Sequence, residues 1–222
     1  MSREYIETED GSTTFYVPEL KEHYHSVHGA VREALHIFIR AGLEYGNRTP
    51  VSVLEAGFGT GLNAWLSLLT AWEHAWEINY YSLEKYPLTP AEISRLNYKT
   101  LFPSASPELF DKLHQCEWEK EIKIAPFFTL HKSQRDFRTI GFRENFDIVY
   151  YDAFRPDVQP HLWTAETFGK FYEALKPGGF LVTYCVKGIV KQALRQVGFR
   201  LERLPGPPGK HQMLRATKPS DR

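Results

Sequence analysis

Three acidic residues stand where apolar runs of the sequence end, and they are the strongest candidates for chemistry. Glu55 and Glu84 close two of these runs, and Asp152 closes a third. The glycine-rich segment 57–61 follows Glu55, and glycines there allow a tight turn that brings backbone amides close to a ligand. An acid before such a turn would repel a pyrophosphate, whereas it would attract a ligand that carries a cationic amino-acid group.

The glycine spacing distinguishes between nucleotide ligands. A dinucleotide-binding loop has the spacing G-x-G-x-x-G, but segment 57–61 has G-x-G-x-G, and Leu62 stands where the third glycine belongs. Glu84, at the end of the next strand, can accept hydrogen bonds from both hydroxyls of an adenosine ribose. These features favour S-adenosylmethionine over a nicotinamide dinucleotide, with Ser133 as a candidate contact for the adenine edge.

Asp152 is the candidate for the reactive acid. It follows the apolar run Phe146–Tyr151, at the edge of the sheet where a transferable methyl group should lie. A carboxylate there can orient an amine nucleophile and accept its proton, and Phe154 and Tyr151 can hold a flat base by stacking. Two simpler roles stay open, with Asp152 as a cap of the next loop and Glu84 as a surface acid.

Short β-rich runs alternate with helical patterns along the chain, which is typical of an α/β fold. Ligands in such folds bind outside the carboxyl ends of the parallel strands, where the three acids stand. The pattern therefore predicts a doubly wound sheet that ends in an antiparallel hairpin. The predicted strands are Val51–Ala56, Ile78–Leu83, 117–125, 127–131, Phe146–Tyr151, 180–185, 199–204 and 212–216, and the predicted helices are 28–45, Leu62–His74, 87–98, 104–114, 164–175 and 189–197.

Composition limits the class of protein. The chain has 222 residues, of which 42% are hydrophobic and 24% charged, and this excludes a disordered, collagen-like or coiled-coil protein. The polar, acidic start has no apolar signal region, and no apolar run reaches the length of a bilayer span. We expect a single domain over residues 1–222, in which an N-terminal extension, 1–46, packs on a core formed by 47–222.

Metal binding is not expected, and the cytoplasm is the expected compartment. Cys116 and Cys185 are too few for a disulfide framework or a cysteine-based metal site, which favours a reducing environment. His23, His25 and His28 lie in the polar lead segment without the cysteines or acids that would complete a metal set. We therefore expect these histidines to be solvated.

The charged residues are unevenly distributed along the chain. Lys plus Arg and Asp plus Glu number 27 each, so the formal net charge is zero. From Lys187 to the end, however, nine basic residues (Lys187, Lys191, Arg195, Arg200, Arg203, Lys210, Arg215, Lys218 and Arg222) stand against two acids, Glu202 and Asp221. A basic face of this kind suits a polyanion, and the alternative is a solvated helix face with a frayed terminus.

Four separated blocks of the sequence together resemble the MnmC-type (MnmD) tRNA methyltransferases. The blocks are 55–63, Glu84-Lys85 before Pro87, 152–156 with Pro160 and Trp163, and 209–216, and the lead segments 14–16 and 24–29 match as well. The resemblance implies a class I, Rossmann-like methyltransferase with a doubly wound, mostly parallel, seven-stranded sheet and an antiparallel C-terminal edge strand.

The same resemblance implies the reaction. An enzyme of this family uses S-adenosyl-L-methionine to methylate 5-aminomethyl-(2-thio)uridine at the wobble position of tRNA, giving 5-methylaminomethyl-(2-thio)uridine. The residues and the resemblance together give Glu55, Gly57, Phe58, Gly59, Gly61, Asn63, Glu84, Lys85 and Ser133 as cofactor contacts, Asp152 as the catalytic residue, and Phe154, Pro156, Trp163 and Lys210 as substrate contacts.

Two features depart from the family pattern. The family often has an acid where Ser133 stands. Its bifunctional members also carry a flavin oxidoreductase domain that makes the free amine, for which 222 residues leave no room, so we expect a separate enzyme to supply that amine. The partner expected is the anticodon region of tRNA. A small-molecule methyl or aminopropyl transferase and a non-catalytic tRNA-binding subunit are the alternatives.

Overall fold

The computed structural model describes residues 2–220, and its first element is a small antiparallel sheet. This sheet contains β1 (Glu4–Glu7), β2 (Thr13–Val17) and β3 (Glu22–His23), with β2 in the middle. The Tyr98 hydroxyl donates a hydrogen bond of 2.7 Å to the Thr13 carbonyl and so ties β2 to the rest of the protein. This sheet was not predicted, because its threonines are buried through contacts with distant residues.

The predicted helix over 28–45 is present, but most of it is π-helical. The α-helical part, α1, spans Ala30–Ala34, and a π-helix continues over Leu35–Glu44. Ile37, Phe38 and Leu43 of the π-helix are buried in the core.

The central sheet has eight strands, the number that the sequence pattern predicts and one more than the family resemblance implies. The strands are β4 (Val51–Ala56), β5 (Ile78–Leu83), β6 (Glu121–Ala125), β7 (Phe128–Ser133), β8 (Phe146–Tyr151), β9 (Leu175–Thr183), β10 (Arg200–Pro205) and β11 (Gln212–Thr217), in the order β10-β11-β9-β8-β4-β5-β7-β6. The five inner strands are parallel, and the β10–β11 hairpin forms an antiparallel edge as predicted. The strand β6 lies within the predicted strand 117–125 and pairs antiparallel with β7 at the other edge.

The remaining helices, after the one over 28–45, agree with the prediction except near Pro87. They are α2 (Leu62–His74), α3 (Pro90–Ile93), α4 (Tyr98–Leu101), α5 (Pro107–Gln115), α6 (Ala165–Ala174) and α7 (Gly188–Val197), with short 3-10 turns at Phe137–Thr139 and Pro160–Leu162. The single helix predicted over 87–98 is wrong. Asn97 donates a side-chain hydrogen bond of 2.7 Å to the Gly11 carbonyl and accepts one of 3.0 Å from the Thr13 amide, and these bonds hold the chain in a turn between α3 and α4.

The parallel strands bring the candidate residues to one edge of the sheet. Ala56 of β4 pairs with Leu83 of β5 and with Tyr151 of β8, so the residues that follow these strands lie side by side. Apolar side chains cover both faces of the sheet in two clusters and fix this register. Among residues 2–220, no helix is both long enough and apolar enough to cross a membrane.

Candidate functional site

A cavity of about 560 Å³ lies at the carboxyl ends of the parallel strands. One wall is formed by the glycine-rich segment after β4 and by the first turn of α2, and another by residues 84–86 and 152–155. The outer wall comes from residues 22–27, which follow β3, and from Lys210 in the β10–β11 loop. The volume is in the range of sites that hold a cofactor-sized ligand.

The glycine-rich segment needs glycine where the chain passes closest to Asp152. Gly57 has a φ of 101°, and a Cβ atom there would lie 2.8 Å from the Asp152 carbonyl oxygen. The next glycine, Gly59, donates its amide to Glu84 Oε2 at 3.0 Å. The Tyr86 amide donates to Glu84 Oε1 at 2.8 Å, so backbone amides orient the Glu84 carboxylate at the cavity wall.

The Asp152 carboxylate faces the cavity and is held from the side by α2. Its Oδ2 atom accepts a hydrogen bond of 2.9 Å from Asn63 Nδ2. Removal from water raises the pKa of Asp152 to about 7, the Asn63 hydrogen bond opposes this rise, and the charges of Glu33 and Lys210 act in opposite directions. A carboxyl group with such a pKa changes its protonation state near neutral pH, which suits a group that accepts a proton.

Glu55 lies beneath the cavity instead of lining it. Its side chain is fully buried, and Oε2 accepts a hydrogen bond of 2.5 Å from the Ser82 hydroxyl on the neighbouring strand. Burial raises the pKa of Glu55 to about 8, and the Asp152 charge raises it further. Glu55 thus lies outside the cavity lining, whereas we expected it to contact the cofactor directly.

Aromatic rings close the side of the cavity next to Asp152. The Phe154 ring packs edge-on against Tyr24 with ring centroids 5.0 Å apart. Trp163, expected as a substrate contact, is buried behind this wall and donates a hydrogen bond of 2.8 Å from Nε1 to the Phe154 carbonyl. Trp163 therefore positions Phe154, and Pro156 is also buried outside the cavity lining.

Two further expected cofactor contacts lie away from the cavity lining. The Ser133 hydroxyl is buried and donates a hydrogen bond of 2.8 Å to Glu119 Oε2, which leaves it engaged within the protein. Gly61 supports the turn from behind, where a Cβ atom would lie 2.8 Å from Nε2 of His114. Of the other expected residues, Gly57, Phe58, Gly59, Asn63, Glu84, Lys85, Asp152, Phe154 and Lys210 all line the cavity.

The N-terminal segment contributes residues that the sequence reasoning left out. His23 and His25 line the cavity, and burial lowers the pKa of His25 to about 4, so its ring is neutral at pH 7. The solvated state expected for these histidines holds only for His28, which is exposed and pairs with Glu9 at 2.9 Å. The only available signal was the match of segment 24–29 to the family pattern.

Comparison with known proteins decides the family. The profile of one family, the S-adenosyl-L-methionine-dependent methyltransferases, matches residues 103–219, which is more than half of the chain. The chain belongs to this family. The fold agrees, because this methyltransferase has the mostly parallel sheet with an antiparallel edge that was predicted.

The methyltransferase is also similar to individual proteins. The tRNA 5-methylaminomethyl-2-thiouridine biosynthesis bifunctional protein MnmC of Burkholderia vietnamiensis is 29% identical and matches 90% of this chain but 33% of its own length. The protein of the same name from Cupriavidus necator is 28% identical over 91% of this chain and 32% of its own. The chain thus spans about a third of the length of these curated relatives. Their similarity confirms the resemblance inferred from the sequence.

Solved structures also include proteins that are similar to this chain in fold. MNMC2 from Aquifex aeolicus has a TM-score of 0.81 and 26% identity, over 99% of this chain and 71% of that chain. Spermidine synthase from Thermotoga maritima has a TM-score of 0.55 at 16% identity, over 100% of this chain and 73% of that chain, and shares the fold alone.

The cavity of the methyltransferase fits S-adenosyl-L-methionine, the cofactor of the family. Two carboxylates, Glu84 and Asp152, face the cavity and match a ligand that carries hydroxyls and positive charge. Asn63 also lines the cavity and donates to Asp152, while its Oδ1 atom is buried and has no hydrogen-bond partner within residues 2–220. In the same part of the chain, no group of three His, Cys, Asp or Glu side chains could hold a metal ion.

Proposed function

We propose that this methyltransferase converts 5-aminomethyl-(2-thio)uridine to 5-methylaminomethyl-(2-thio)uridine at the wobble position of tRNA. The observation that carries the proposal is the position of the Asp152 carboxylate, which faces the cavity between Asn63 and the aromatic wall of Phe154 and Tyr24. A base of this kind beside a surface for a flat ring suits an amine attached to a nucleobase. The names of the curated relatives point to the same nucleoside.

We place the cofactor along the glycine-rich segment and Glu84. In this proposal Glu84 accepts hydrogen bonds from the ribose hydroxyls, and the backbone of Gly57 and Gly59 approaches the amino-acid part. When bound, S-adenosyl-L-methionine supplies an electrophilic methyl carbon.

The protein must provide a neutral amine at the right place. An alkylamine is mostly protonated at neutral pH, and an ammonium group has no lone pair with which to attack a carbon atom. Asp152, ionised above pH about 7, accepts the proton of the acceptor ammonium and passes it to solvent. Phe154 and Lys210 hold the nucleotide so that the nitrogen lies in line with the methyl group.

Part of the basic C-terminal region remains available for the RNA backbone. Four of its basic residues are engaged by acids, because Lys187 pairs with Asp157, Lys210 with Glu33, Arg215 with Glu202 and Lys218 with Glu144. Arg222 and Asp221 lie outside the described residues. The residues of this region that make no ion pair within 2–220 are Lys191, Arg195, Arg200 and Arg203 on α7 and β10, and we propose that they contact tRNA phosphates.

The cellular setting follows from this substrate. We propose that the enzyme acts in the cytoplasm on the anticodon region of tRNA, as one domain over residues 1–222 in which 1–46 pack on the core 47–222. We also propose that a separate enzyme supplies the primary amine that this reaction consumes.

Methyl transfer from labelled S-adenosyl-L-methionine tests the proposal. The acceptors to compare are tRNA from cells that lack the wobble methyl group, the same tRNA already methylated, and a mixture of small primary amines. We expect label only in the first acceptor, with binding that falls steeply as salt increases. Label only in the small amines would support a small-molecule transferase instead, and cofactor binding without any transfer would support a non-catalytic subunit.

A further inference from the structure

The Glu33 carboxylate joins three segments that line the cavity. Glu33 lies on α1 with only 8% of its surface exposed. Its Oε2 atom accepts a hydrogen bond of 2.8 Å from the Ser26 amide, which belongs to the outer wall formed by residues 22–27. Its Oε1 atom forms an ion pair with Lys210 Nζ from the β10–β11 loop. A single buried acid thus fixes the outer wall and the lysine together.

The lysine is in turn placed against the residues around Asp152. Lys210 Nζ lies 4.2 Å from the centroid of the Tyr184 ring, on which a cation is attracted by the ring's electrons. The Tyr184 hydroxyl donates a hydrogen bond of 2.7 Å to the carbonyl of Ala153, the residue after Asp152. The ammonium of Lys210 is therefore held close to the segment that contains Asp152.

Few charged groups other than the Glu33–Lys210 ion pair influence the protonation of Asp152. The ionisable groups that face Asp152 are Glu55 from β4, Tyr80 from β5, Tyr184 after β9, Glu33 from α1 and Lys210. Both tyrosines have raised pKa values because of burial, so they are neutral. His25, which lies beside Glu33 and Lys210, is neutral as well because burial lowers its pKa. Of the ionisable groups around Asp152, only Glu33, Lys210 and Glu55 can therefore act on it through a charge.

We propose that Glu33 is a positioning residue for methyl transfer, which fixes the Lys210 ammonium beside Asp152 and holds residues 22–27 over the cavity. The proposal deepens the proposed function, since it concerns the same site. The Lys210 ammonium lowers the pKa of Asp152 and disfavours a charged acceptor amine, whereas the Glu33 carboxylate raises the pKa of Asp152, so the two members of the ion pair set that pKa in opposite directions.

Substitutions at Glu33 separate the two parts of this role. Glu33→Gln keeps an oxygen for the Ser26 amide and removes the charge, whereas Glu33→Ala removes both. We expect hydrogen exchange of the 22–27 amides to be at least about tenfold faster in Glu33→Ala than in the wild type, and changed much less in Glu33→Gln. The control is Glu9→Gln, which removes an exposed ion pair to His28 near the same segment. This control should leave the exchange of the 22–27 amides unchanged.

The pH profile of kcat/KM tests the electrostatic part. Glu33→Gln removes a negative charge near Asp152, so the acidic limb of the profile should move to lower pH. Lys210→Met removes a positive charge, so the limb should move to higher pH, with each shift roughly one unit. A merely structural role would lower activity in both variants without moving the limb in opposite directions.

The results separate this proposal from the proposed function. Unchanged exchange of the 22–27 amides in Glu33→Ala, or limbs that move together, would overturn the proposal. Failure of the wild-type enzyme to methylate tRNA would refute the substrate, whereas the exchange measurement needs no acceptor and would still decide the role of Glu33 in the free protein.

Discussion

Replacing Asp152 by asparagine removes the proposed base with little change in shape. Asn63 can still form a hydrogen bond across the present 2.9 Å distance, because an asparagine oxygen accepts as a carboxylate does. The acceptor ammonium, however, loses the group that takes its proton. General-base catalysis contributes about 10² to 10⁴ in rate, so kcat should fall by that factor, or roughly 3–5 kcal/mol in activation free energy. Cofactor affinity should change by less than about threefold, since Glu84 and the glycine backbone remain.

Single-turnover transfer at saturating cofactor and calorimetric cofactor binding measure these two quantities separately. In the wild type, the rate should fall as the pH drops below about 7, because the protonated Asp152 cannot accept a proton, and the variant should lose this limb. The matched control is Asp157→Asn, which removes an exposed acid paired with Lys187 and should leave both quantities unchanged. Equal losses of transfer and of cofactor binding in Asp152→Asn would refute the role as a base.

Three other substitutions test the cofactor side of the cavity. Glu84→Gln should weaken cofactor binding about 10- to 100-fold by calorimetry, because one charged acceptor for the ribose hydroxyls is lost. Gly57→Ala should lower the free energy of unfolding by roughly 1–3 kcal/mol in denaturant titrations, since φ is 101° and the new methyl group would lie 2.8 Å from the Asp152 carbonyl. The melting temperature of Glu55→Gln relative to the wild type should rise between pH about 4.5 and 8, because over this range Glu55 ionises in the unfolded wild type but stays protonated in the folded one, so the wild type loses stability.

Each of these predictions has a control and a contradicting result. Gly169→Ala, in a helix where a Cβ atom meets nothing within 4 Å, should be neutral or stabilising, and equal behaviour of the two alanine variants would contradict the close approach at Gly57. Glu73→Gln on the exposed side of α2 should bind cofactor normally, and unaltered binding in Glu84→Gln would remove Glu84 from the site. A melting-temperature difference for Glu55→Gln that does not vary with pH would contradict its raised pKa.

The strand ends made much of the cavity predictable. Parallel strands place their carboxyl ends at one edge, so the sequence alone could bring Glu84, Asp152 and the segment 57–61 together. Glu55 follows the same pattern, but strand alternation could not show that its side chain lies under the loop and pairs with Ser82. A pattern of residue types gives the end of a strand more reliably than it gives the direction of one side chain.

Residues fixed by long-range contacts were not predictable. Ser133 ends β7, two residues beyond the predicted end of this strand, and Glu119 from the loop before β6 engages its hydroxyl. Residues 22–27 form the outer wall, where the Ser26 amide bonds to the distant Glu33. No periodicity in a polar segment reveals such a partner. The turn at Asn97 has the same origin, since its side chain bonds to the N-terminal sheet.

The position of the transferred methyl group tests the central claim most directly. Wobble-unmethylated tRNA is incubated with S-adenosyl-L-methionine that carries a deuterated methyl group, then digested to nucleosides and analysed by mass spectrometry. The proposed function predicts the deuterated methyl group on the amine of 5-methylaminomethyl-(2-thio)uridine with the wild-type enzyme, and a large loss of this product with Asp152→Asn. A deuterated methyl group on any other nucleoside, or an undiminished product with Asp152→Asn, would contradict it.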